Sequence, residues 1–210
     1  KETACVLFGL FSSRAAGVWS HEHERKAAEV AEALERIRQF VAVIPPADAG
    51  GGLSPVRISH LHAIDHLARL QAVLHPPAST QNHLTSEILR GAAAACRALL
   101  LLADGGLRDQ AGPGWLGQVE AGAGGLSEIR RQDRPVLLEQ AVASGRDARE
   151  TLEVLDAMRW FDTVGYHTWR IAHYLGSGPG ALPENLRAEA AAARLEPCPE
   201  PTTGQADQRP

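Results

Sequence analysis

Two stretches, Leu61-His62-Ala63-Ile64-Asp65-His66-Leu67 and Met158-Arg159-Trp160-Phe161-Asp162-Thr163-Val164, decide how the chain is read. At about 100° per residue, each predicts an amphipathic helix with an aspartate on its apolar stripe. Asp65 falls among Ile58, Leu61, Ala68 and Ala72, and Asp162 among Leu155, Met158, Gly165 and Trp169. The apolar positions also correspond across a constant offset, pairing Ile58 with Leu155, Leu61 with Met158, Ile64 with Phe161, and Leu67 with Val164. A carboxylate aimed at a core costs several kcal/mol unless it is paired. The expectation is therefore a duplicated helical unit with one polar site in each half. On their own helices Arg69 is in reach of Asp65, and Arg159 and Tyr166 of Asp162.

Working outward, apolar residues from Ala27 to Ile44 recur at helical spacing behind Ser20, a good N-cap, and Pro45-Pro46 stops that helix. Ser54-Pro55 opens the Asp65 helix, which ends before Pro76-Pro77. A fourth helix is expected over roughly 80–104. Residues 105–125 hold eight glycines and Pro113 and read as a long mobile loop. Pattern resumes near Ser127, with Pro135 starting a new helix or kinking this one. Asp147-Ala148-Arg149-Glu150 reads as a capping box opening the Asp162 helix, which runs to about Leu175. With a weakly patterned segment at about 2–17, six helical segments result. The simplest partition of an all-α chain is three helices over 1–78 and three over 79–175. Residues 176–210 form a tail rich in Pro and Gly, with a short helix over 186–195 and disorder at its end.

Composition narrows the function classes. Hydrophobic residues make up 44% and charged residues 22%, a balance typical of a globular domain. A net charge of -4 provides no basic surface, so nucleic acid is not an expected partner. No apolar run reaches the ~18–20 residues of a membrane span. Cys5, Cys96 and Cys198 lack zinc or redox spacing, and Cys96 reads as a small core residue in a reducing compartment. Because the chain begins at Lys1, we expect a domain cut from a longer protein.

His62 and His66, one turn apart with Asp65 beside them, have metal-ligand spacing. No Glu follows His62 to complete a zinc-protease motif, and an Asp65–Arg69 pair is the competing reading. His21-Glu22-His23-Glu24 lies at a helix start, where neighbouring residues do not face one point. Trp160, Phe161, Trp169 and Tyr174 read as core and helix-interface residues. No nucleophile elbow or phosphate loop is present, so catalysis is not expected.

The words His62-Ala63-Ile64-Asp65-His66-Leu67-Ala68-Arg69-Leu70 and Arg159-Trp160-Phe161-Asp162-Thr163-Val164-Gly165-Tyr166-His167-Thr168-Trp169-Arg170-Ile171 resemble the PhoU-like domain. The version they resemble is carried at the cytosolic C-terminus of bacterial sodium/phosphate cotransporter family proteins. The resemblance covers about residues 20–175. It implies tandem three-helix bundles and a non-catalytic part in regulating phosphate uptake at the cytosolic face of the inner membrane. The transmembrane region of a parent chain, other helical proteins or a second copy would be the partner. The family's acidic-x-x-x-Asp metal motif is absent, since Leu61 and Met158 stand four residues before the two aspartates. What is left for a cofactor is a single divalent transition-metal ion on His62, Asp65 and His66. The alternatives carried forward are a metal-binding helical-bundle enzyme, with Asp162 as a further ligand, and a soluble phosphate-signalling adaptor.

Overall fold

Helix is dictated by an Ala- and Leu-rich chain poor in β-branched residues, and the computed structural model is helical throughout its ordered elements. It describes residues 1–43, 55–145 and 147–176. In order these form α1 (Glu2–Ala15), α2 (His21–Val43), α3 (Pro55–Ala72), α4 (Ala78–His83), a 3₁₀ turn (Glu87–Leu89), α5 (Arg90–Leu107), α6 (Trp115–Ser144) and α7 (Ala148–Gly176). All belong to one compact unit, Lys1–Gly180. A second unit, Ala181–Pro210, and with it the expected tail helix and disordered end, lies outside the described residues.

α7 is the central element: α1, α3, α4, α5 and α6 all pack on it. Its buried residues, among them Ala157, Met158, Phe161, Val164, Ile171 and Ala172, cover more than one stripe, as a helix with neighbours on several sides requires. α1 is likewise buried over most of its surface, through Leu7, Phe8, Leu10 and Phe11. That breadth is why its amphipathic pattern is weak. α2, by contrast, buries a single line, Ala27, Val30 and Leu34. Its other face carries ion pairs one turn apart, Glu22–Lys26 at 2.7 Å and Glu32–Arg36 at 3.7 Å.

Two segments differ from the sequence reading, and at Pro135 the structure chooses between its two alternatives. The glycine-rich segment is mostly helical: only residues 108–114 separate α5 from α6. Packing overrides propensity here, because Gly106 lies against the Trp115 ring, and Gly122 lets Leu99 approach within 3.1 Å of where a Cβ would stand. Pro135 sits inside α6 without ending it. The residues after it are largely exposed, so few packed neighbours oppose the adjustment that a proline imposes. The expected helix over 80–104 is broken into α4, a 3₁₀ turn and α5, giving seven α-helices among the described residues.

Local signals do hold at two helix starts. The Ser20 hydroxyl accepts from the His23 amide at 3.5 Å, and Asp147 accepts from the Arg149 amide at 3.1 Å. The described helices do not separate at residue 78 into two units, since α3 packs directly on α7.

Candidate functional site

α3 and α7 run antiparallel, with Val73 beside Trp160, His66 beside His167 and His62 beside Tyr174. Trp160 Nε1–H donates to the Val73 carbonyl at 2.8 Å and fixes the register at one end. α3 buries Ala63, His66, Leu67 and Leu70. That face lies on nearly the opposite side of the helix from the stripe the sequence suggested. It puts a neutral-capable imidazole in the seam and leaves the carboxylate outside, the cheaper arrangement.

Asp65 is accordingly exposed rather than core-facing, and pairs with Arg69 at 2.8 Å, both side chains more than half accessible. Asp162 is more shielded, at 17% exposure, but its partners are not Arg159 and Tyr166. Instead α6 provides them: Ser127 donates its hydroxyl, and Arg130 Nε lies 3.0 Å away. Arg159 and Tyr166 are exposed. The matched positions differ as well, since Leu61 is 38% exposed where Met158 is 2%. A shared hydrophobic period therefore does not give the two aspartates equivalent surroundings.

The histidines and tyrosines of the two words do meet. His62 stacks on Tyr174 with ring centroids 5.0 Å apart, and His66 stacks on the same ring at 5.9 Å. Tyr166 meets His66 edge-on at 5.7 Å. His66 Nδ1 and His167 Nδ1 are 2.9 Å apart, so one ring must donate and the other accept. Burial, with His167 and Arg170 nearby, pushes His66 down to about 4. Burial also lowers His167, reinforced by Arg69 and opposed by Asp65. Arg170 donates to the Tyr174 hydroxyl at 2.6 Å and closes the cluster on its α7 side.

This arrangement can hold and share protons, but it does not gather metal ligands. Among the described residues no three His, Cys, Asp or Glu side chains converge on a point that could hold an ion. His66 is committed to His167, His62 to the face of Tyr174, and Asp65 to Arg69, while Asp162 is taken by Ser127 and Arg130 of α6. Among the described residues the expected His62–Asp65–His66 ion thus lacks a ligand set. The His21–Glu24 run is dispersed too: His23 stacks on Trp19, Glu22 pairs with Lys26, and Glu24 accepts from Trp19 Nε1 at 2.8 Å.

Sequence reading missed Arg14. It is 4% exposed, sits over the Trp19 ring with Cζ 3.4 Å from the centroid, and contacts His75 Nδ1 at 3.2 Å. Burial lowers its pKa, and the nearby Glu24 carboxylate opposes that shift. The network ties α1, the start of α2 and the turn after α3. Only an arginine amid the apolar α1 hinted at it. Cys96 behaves as expected, fully buried with its thiol pushed up to about 12 by desolvation.

No family model, curated protein or solved structure matches this chain. Among the described residues no helix is long and apolar enough to cross a membrane.

Proposed function

We propose that the chain is a non-catalytic regulatory domain that works by helix-to-helix contact, in the control of sodium-dependent phosphate uptake at the cytosolic face of a bacterial membrane. The resemblance of the two aspartate-bearing words to the PhoU-like domain points to that process, and the all-helical fold agrees with it. One observation carries the contact mechanism. Beyond Leu34, α2 and the start of α3 expose large apolar side chains at one tip: Phe40 64%, Val43 76%, Val56 39% and Leu61 38%. Scattered apolar residues are normal on a surface, whereas a clustered set marks an interaction site. On this reading the tip meets the transmembrane transporter region of a parent chain.

The test is phosphate uptake by cells carrying the parent protein with Phe40→Glu and Val43→Glu. Both side chains are already exposed, so the purified domain should melt as the wild type does while uptake changes several-fold. Unchanged uptake in these cells, and in cells whose transporter lacks this domain altogether, would overturn the reading.

A further inference from the structure

The seam between α6 and α7 opens beside Pro135 into a cleft of about 630 Å³, within the range of small-molecule sites. Two facing stripes line it. On α6 Ser127, Arg130, Arg131 and Arg134 recur at three- and four-residue spacing, and on α7 Leu152, Leu155, Asp156 and Arg159 do the same. A seam between helices ordinarily carries apolar contacts. Here four guanidinium groups from two helices stand in one concavity.

Their states differ. Arg130 is held by Asp162 at 3.0 Å and Arg131 by Glu128 at 2.8 Å. Arg134 and Arg159 form no ion pair among the described residues, and Asp156 is the one carboxylate on the described wall. Positive charge therefore exceeds negative, and two planar donor forks are unspent. Guanidinium suits the bidentate recognition of phosphate and carboxylate. Beside the arginines, Pro135, Leu152, Leu155 and Met158 supply apolar wall.

We propose that this cleft binds a small organic oxyanion, a phosphate monoester or carboxylate on an apolar body. Arg134 and Arg159 grip the anionic head, and Leu152, Leu155 and Met158 pack against the body. Arg130 and Arg131, already paired with Asp162 and Glu128, line the same cleft as charge-balanced neighbours of the two open guanidinium groups. The inference stands apart from the regulatory reading and does not depend on it.

Calorimetric titration of the purified chain with phenyl phosphate, benzoate and inorganic phosphate tests it. At least one of the two organic anions should bind more tightly than inorganic phosphate, and which one does so identifies the head group. Arg134→Gln and Arg159→Gln should each weaken that binding about tenfold or more, as loss of a charge-assisted contact implies. Asp156→Asn should tighten it several-fold, and Arg97→Gln, exposed on α5 outside the cleft, should leave it unchanged. Because Arg134 and Arg159 are exposed and unpaired among the described residues, their variants should keep the wild-type circular dichroism. Three outcomes overturn the proposal: no organic anion bound at roughly 10 mM, where even a mM affinity registers; binding that survives in the Arg134→Gln/Arg159→Gln double variant; or preference for a glutamate-rich peptide over both organic anions.

Discussion

His66 should make the domain acid-sensitive, and His66→Phe should remove that sensitivity. The ring is 8% exposed and is held near a pKa of about 4 by burial and by its neighbours, whereas in an unfolded chain it titrates at about 6.5. Between those values the unfolded state binds the extra proton, so stability is full above about pH 6.5 and falls as the pH drops toward 4. At about 1.4 kcal/mol for each pH unit between the two values, the loss approaches ~3 kcal/mol. His167 is shifted in the same direction and adds to it. Phenylalanine keeps a ring against Tyr174 and Tyr166 but cannot bond His167, a loss of about 1 kcal/mol at neutral pH. Urea unfolding from about pH 7.5 down to about pH 4.5 should therefore show two curves that cross: the variant less stable at the neutral end and more stable, by about 1.5 kcal/mol, at the acid end. Carboxylates that protonate over this range act on both proteins alike. Parallel curves would refute the reasoning, because they would mean that His66 carries the same proton folded and unfolded.

Asp162→Ala strands the Ser127 hydroxyl and Arg130, but Arg130 is 41% exposed and regains water, so the expected loss in denaturant unfolding is about 1–2 kcal/mol. Asp65→Ala, at a half-exposed pair, should cost only ~0.3–0.5 kcal/mol, and equal losses at the two aspartates would contradict the environments described. Gly124→Ala and Gly125→Ala, helical positions with open space where a Cβ would stand, should each stabilise the fold by up to ~1 kcal/mol, read as a higher thermal midpoint. Gly165→Ala would place a Cβ 2.7 Å from Leu126 Cδ1 and should cost about 1–3 kcal/mol. Stabilisation at Gly165, or none at either α6 glycine, would count against the helical packing of this segment.

Helical class, the starts of α2 and α7 and the burial of Phe161, Trp160 and Cys96 follow from the sequence, because capping and hydrophobic period act over a few residues. The meeting of His62 and His66 with the Tyr166–Tyr174 stretch was half legible: the sequence singled out both words but not their antiparallel register. Tertiary structure alone decided which side of α3 faces inward. Apolar residues occur on more than one side of that helix, so its pattern admits nearly opposite faces, and the choice fell to the cost of burying Asp65 rather than His66. The partners of Asp162 came from α6, whose first turns read as loop although Leu99 packs against Gly122 there and Trp115 against Gly106 of α5. The arginine cleft was hidden for the same reason. Its two stripes are regular on their own helices, but only the packing of α6 against α7 makes them face each other.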